Sequence, residues 1–134
     1  MNSAALACPC RASEPAALPY ADCCGRYHAG PLHLLAPTAE ALMRSRYSAF
    51  VPGRSDYRPD TWHASTRPSR NEADPPGLKW LGLEVRHHFL IDADHATVEF
   101  VARNKLGGRA ERLHELSRFV RENGHWFYVD GDSS

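Results

Sequence analysis

The sequence predicts an α+β domain: helices first, then a four-stranded antiparallel meander, with a small cysteine knuckle at the N-terminus. Three observations carry this expectation. The apolar pattern changes from helical to strictly alternating near Leu81. Gly107-Gly108 and Asn123-Gly124 punctuate the alternating half as hairpin turns. All four cysteines fall between residues 8 and 24.

The knuckle is assigned to residues 1–30, rich in Cys, Ala and Pro and without amphipathic period, and the α+β domain to residues 31–134. The clearest helix begins at Thr38, a good N-cap behind Pro37, with Glu40 facing the positive end of the dipole. It runs through AEALMRSRYSAFV to Pro52-Gly53, and Ala39, Leu42, Met43 and Phe50 fall on one stripe that also holds Arg46. A shorter helix is expected over Asp56 to Trp62, and RPSRNEADPP (Arg67 to Pro76) is a loop. In the first strand Leu81, Leu83, Val85, His87, Phe89 and Ile91 share one face, which makes His87 a hydrogen-bonded core histidine. The second, His95 to Arg103, sets Ala96, Val98, Phe100 and Ala102 on an apolar face. Arg109 to Arg121 mixes its faces, and His125 to Asp130 closes the meander.

With 134 residues, 43% of them hydrophobic, the chain can bury roughly two-thirds of its unfolded surface without help from its cysteines. Sixteen basic and sixteen acidic residues cancel, so nothing in the charge points to a polyanion or a membrane surface as an obligatory partner, and it gives little support to nucleic-acid binding. No apolar run reaches the length of a membrane span. The opening MNSAALACPC lacks the charge and apolar stretch of a signal peptide, so a cytoplasmic protein is expected. Cytosolic thiols stay reduced, and clustered ones there more often hold metal.

Cys8-x-Cys10 and the adjacent Cys23-Cys24 are separated by twelve residues. Two short ligand pairs closed by a loop can deliver the tetrahedron zinc requires. Neighbouring cysteines rarely meet disulfide geometry, so bridges would have to cross the loop. Cross-loop disulfides and free thiols remain the alternatives, and His28 is a spare imidazole that could replace one thiolate.

Cys-Pro-Cys followed by Tyr20-x-x-Cys23-Cys24-Gly25 resembles the SEC-C zinc motif. The stretches CCGRYHAG, LMRSRYSAF, TWHASTRP, KWLGLEV, FVAR and ELSRFVRENGHWFYVDG, spread over nearly the whole chain, are similar to the bacterial YchJ family (UPF0225). In that family such a motif precedes an NTF2-like domain. The resemblance implies a cone of helices on a curved antiparallel sheet, structural Zn2+ held by Cys8, Cys10, Cys23 and Cys24, and a protein partner met through the knuckle. The chain departs from the motif in having Arg11-Ala12-Ser13 where Gly-Ser-Gly usually follows. Its loop is also about four residues longer, which costs only tenths of a kcal/mol in closure entropy.

Arg46 is the informative residue outside the knuckle. A guanidinium on an apolar stripe needs a carboxylate, a carbonyl or water, and Glu99, Glu115 and Asp130 are its candidate partners on the sheet. It either makes a structural pair or presents a cation to a small anionic ligand. Arg118 carries the same ambiguity. His63, after Trp62, could act as acid or base but more often satisfies backbone at such a boundary. Tyr47, Trp80, Trp126 and Tyr128 are expected as core with polar tips. A ligand pocket would therefore gather Arg46, Tyr47, Trp62, His63, Glu115, Arg118 and Tyr128. No catalytic residue is assigned. The chain has no nucleophile elbow, His-Glu-x-x-His or phosphate loop, and Tyr47, His63 and Asp130 form a proton-transfer set only if the fold unites them. The expected role is a protein-interaction module with structural zinc; the alternative is an NTF2-like small-molecule binder or enzyme built around Arg46, His63 and Arg118.

Overall fold

The computed structural model describes residues 7–11, 18–50, 56–69 and 77–133. Its helical half contains α1 (Gly25–His28), α2 (Ala39–Tyr47) and α3 (Tyr57–Asp60), with short 3-10 turns at Pro9–Arg11, Tyr20–Asp22 and Ser48–Phe50. Its second half is one antiparallel sheet of β1 (Lys79–Asp92), β2 (His95–Leu106), β3 (Arg109–Glu122) and β4 (His125–Ser133), paired in sequence order. The α+β expectation holds, helices preceding a four-stranded antiparallel meander. The Asn-Gly turn has both central residues at positive φ, 53° and 80°, which suits the right-handed twist of the strands it joins.

Thr38 caps α2 as expected, its hydroxyl accepting from the Ala41 amide at 3.1 Å. The regular helix ends at Tyr47 and tightens into the 3-10 turn through Phe50; the Pro52-Gly53 stop and most of the 67–76 loop lie outside the described residues. Ala39, Leu42 and Met43 are buried on the predicted stripe. Arg44 and Ser45 are buried too, because the cysteine segment covers a second side of the helix. The expected second helix is a single turn, α3. The chain beyond it pairs Trp62 with Tyr128 in a parallel bridge at the outer edge of β4.

The sheet's inner face carries Leu83, Ala96, Val98, Phe100, Ala102, Phe119 and Trp126, all buried under α2 and its flanks. β3 resolves its mixed pattern by turning Ser117 and Phe119 inward and leaving Leu116 exposed. β1 departs from its prediction. Its pairing with β2 shifts at Trp80/Gly82, Val85/His87 and Leu90/Asp92, and beyond Val85 both of its faces are exposed. Leu83 is fully buried, but Phe89, Leu90 and Ile91 are 57%, 62% and 66% exposed. His87 is corrected from core to surface: its side chain is 59% exposed, with Nε2 3.9 Å from Glu99.

Candidate metal centre and the cavity beneath α2

The metal centre grows from two turns. In the first, the Arg11 amide donates to the Cys8 carbonyl at 3.0 Å, which folds Cys8 and Cys10 together. In the second, the Cys23 amide donates to Tyr20 and the Tyr27 amide to Cys24, at 3.1 and 3.0 Å, so Cys24 leads directly into α1. The Cys8 amide joins the two turns by donating to the Leu18 carbonyl at 2.7 Å. Gly25 is required for this closure. A Cβ there would stand 2.8 Å from the Tyr20 carbonyl oxygen and 2.9 Å from its ring, closer than real side chains pack.

All four thiols are buried, at 0 to 4% exposure, and their sulfur atoms lie within 4.8 Å of one another. Zinc bound tetrahedrally by thiolates at about 2.3 Å sets its sulfurs about 3.8 Å apart. Cys10 and Cys23 are already 3.6 Å apart. That is far too long for a disulfide and close to the edge of the zinc tetrahedron. The described cysteines are free thiols, so the donor set fits a thiophilic metal.

The electrostatics agree. Four thiols this close cannot ionise together without a cation among them. Hydrogen bonds, foremost from Cys10, lower Cys8 to about 6 and draw Cys23 lower still, whereas Cys10 and Cys24 are held up. Arg11, where the motif usually has glycine, hydrogen-bonds Cys23, and that bond raises its own pKa. It places a positive charge beside a cluster that becomes anionic on binding a divalent metal.

His28 is a strut rather than a spare ligand. Its Nε2 is 2.7 Å from the Ser45 carbonyl and therefore donates; Nδ1 accepts from the Tyr20 hydroxyl at 2.5 Å. Ser45 donates to the Leu42 carbonyl, so the Tyr57 hydroxyl, 2.8 Å away, donates to Ser45. The chain Tyr20–His28–Ser45–Tyr57 ties the knuckle to α2 and α3. Arg44 adds a bond to the Cys10 carbonyl at 3.1 Å and pairs with Glu40 at 3.0 Å.

On the sheet side of α2 lies a cavity of ≈ 140 Å³. Arg46, Tyr47, Trp62, Glu115 and Tyr128 line it, as do Arg58 at its exposed rim and Met43, Trp80, Phe100 and Leu113 on its apolar walls. Arg46 is 8% exposed. Its Nη1 donates to the Arg58 carbonyl at 2.7 Å and to the Thr61 hydroxyl at 2.8 Å, and its Cζ lies 4.6 Å from the Tyr128 ring centroid and 5.3 Å from that of Trp62. Burial, then the charge of Arg58, lowers it to about 9, so it remains a cation at neutral pH.

None of the predicted carboxylates pairs with it. Glu99 turns to His114 on the outer face at 2.6 Å, and Asp130 pairs with Arg118 at 2.5 Å. Glu115 stays in the cavity, accepting from Ser117 and, at 3.5 Å, from Tyr128. Burial, then Glu115, raises Tyr128 to about 12; burial does the same to Tyr47, whose ring meets Trp80 edge-on at 5.7 Å.

His63 and Arg118 stand outside the cavity lining. His63 lies between Ser65 and Glu122, at 2.7 and 2.9 Å. Arg118 projects from the outer face to Asp130 and Asp132. Tyr47, His63 and Asp130 thus answer to separate partners. The sequence reading missed Arg58 and Thr61, which hold the Arg46 fork; only the tertiary packing of α3 against α2 brings them there.

The chain matches the family model for the YchJ middle NTF2-like domain over residues 38–131. It is 62% identical over 129 residues to a UPF0225 protein of Methylibium petroleiphilum, covering 96% of this chain and 90% of its relative. It is 58% identical over 130 residues to one of Bordetella parapertussis, covering 97% and 95%. Among solved structures it is similar to a SEC-C motif containing protein from Psychrobacter arcticus, with a TM-score of 0.75 and 33% identity over 100% of this chain and 86% of the other. The solution structure of a SEC-C motif containing protein from Rhodopseudomonas palustris superposes with a TM-score of 0.77 and 31% identity, covering 96% and 99%. On sequence, fold and cysteine geometry together, the chain belongs to the YchJ (UPF0225) family.

Proposed function

We propose that this is a structural-zinc protein that works by binding a protein partner through the surface its metal holds in place. The observation that carries the reading is the buried set of four sulfurs within 4.8 Å. Four thiolates complete the coordination of zinc and leave no position for an activated water, so the metal serves structure rather than catalysis. Metal free energy becomes folding free energy for a segment with too few apolar residues to fold alone. The surface around it is suited to recognition, with Leu18, Leu32 and Leu35 at 38%, 44% and 42% exposure.

The test compares the zinc-loaded chain with Cys23→Ser in cross-linking capture. The expected outcome is loss of both metal and partner while the sheet keeps its circular dichroism. A partner retained after the metal is gone would overturn the reading.

A second reading has its own observation. Arg46 is buried beside an open cavity and has no carboxylate partner among the described residues. That supports a small anionic ligand beneath α2, bound independently of the knuckle.

A further inference from the structure

We propose that the cavity beneath α2 binds a small organic monocarboxylate with a compact apolar body, its carboxylate on Arg46 and its body between Met43, Trp80, Phe100 and Leu113. The inference rests on the second reading above and names the ligand class for that site.

The cation comes first. Among the described residues, the hydrogen bonds of Arg46 all run through Nη1, to a carbonyl and a hydroxyl that carry no charge. Nε and Nη2, the rest of the planar fork, have no such partner. Trp62 and Tyr128 approach the guanidinium and restrict its orientation. A buried guanidinium without a counter-ion costs more than the methionine or leucine that would fill the same stripe. A planar carboxylate matches the open donors in a paired, charge-assisted geometry.

Charge and size then narrow the class. Arg46 and Arg58 contribute two positive charges to the lining and Glu115 one negative, which leaves room for a single anionic group. A phosphate ester or dicarboxylate would set its second charge against Glu115. The cavity of ≈ 140 Å³ is close to the engineered cavity of about 150 Å³ that admits benzene. The apolar body is therefore of about that size, an aryl ring or a short branched chain.

The experiment uses the full zinc-loaded chain and follows the indole N–H signals of Trp62 and Trp80 by NMR during titration with benzoate, 3-methylbutanoate, benzamide and inorganic phosphate. Benzoate or 3-methylbutanoate should shift these signals and bind at least about tenfold more tightly than benzamide or phosphate. Arg46→Met should lose at least about tenfold in that affinity with zinc content unchanged. Ala102→Leu, which fills the cavity from the sheet side and leaves the cation in place, should lose it too, and serves if Arg46→Met does not fold. Benzamide or phosphate binding as well as benzoate overturns the carboxylate class but leaves a ligand cavity. No saturable shift with any of them up to about 10 mM overturns both the class and the cavity reading.

Discussion

The cysteine centre and the cavity beneath α2 lie on different sides of one helix, and both bury charge. They treat it differently. At the cysteines, four ligand atoms converge within 4.8 Å, so a divalent cation would satisfy every one of them. Beneath α2, a single guanidinium is held by a carbonyl, a hydroxyl and two rings, and the remainder of its fork has no hydrogen-bond partner among the described residues. A closed donor set is what a structural metal needs; a half-closed one beside open space is what a binding site needs. The burial of α2 residues 44 and 45 toward the cysteines, against 43 and 46 toward the cavity, makes this short helix the wall between them.

The largest effect should come from opening the closed set. Structural zinc contributes on the order of 10 kcal/mol to small metal-dependent folds, so Cys23→Ser or a strong chelator should unfold the segment around the centre. Hydrogen exchange would show it as lost protection at the Cys8, Arg11 and Tyr27 amides, with β2 still protected. Protection surviving at Cys8 would mean that the Tyr20–His28–Ser45 bonds, not metal, hold the segment.

Acid should act in the same direction. In the metal-free chain the Cys8 pKa is lowered from 9.0 to about 6, chiefly by Cys10. The stability that thiolate contributes is complete above pH 9.0, the unfolded value, and is lost as pH falls through about 6. Protons also compete with the metal for each thiolate, so release of metal should accelerate as pH drops. A chromogenic zinc indicator read against pH checks the sign.

Gly25→Ala comes next. The new methyl group meets Tyr20 backbone as well as its ring, so a loss of about 2–3 kcal/mol is expected in denaturant melts, together with weaker metal retention. Gly131→Ala meets only the flexible side chain of Glu115 and should cost about 1 kcal/mol. Arg46→Met exchanges two hydrogen bonds for relief of a buried charge, so stability should change by less than about 1 kcal/mol. A much larger loss would make Arg46 a structural residue after all. Arg118→Ala removes an exposed ion pair and should leave the thermal midpoint unchanged.

The cysteine cluster was legible because its thiols lie in two local pairs: spacing alone brings Cys8 to Cys10 and Cys23 to Cys24. The meander was legible from alternation and glycine turns, most clearly in β2. β1 was not, because beyond Val85 both of its faces are exposed, Phe89, Leu90 and Ile91 alike, and alternation marks a face without telling whether anything packs on it. The cavity was legible only as a misfit, a cation on the apolar stripe of α2. Its partners could not be read, since a backbone carbonyl has no sequence signature and Thr61 is an ordinary residue until α3 packs. Arg118 and His63 show the converse: both have pocket chemistry, but strand alternation directs one outward and Glu122 holds the other aside.

The most direct measurement is zinc per chain, by elemental analysis of protein purified without added metal, together with a count of reactive thiols before and after chelation. The account predicts about one zinc per chain, with the thiols protected until the chelator is added. Protein without metal, its cysteines freely reactive, would contradict it.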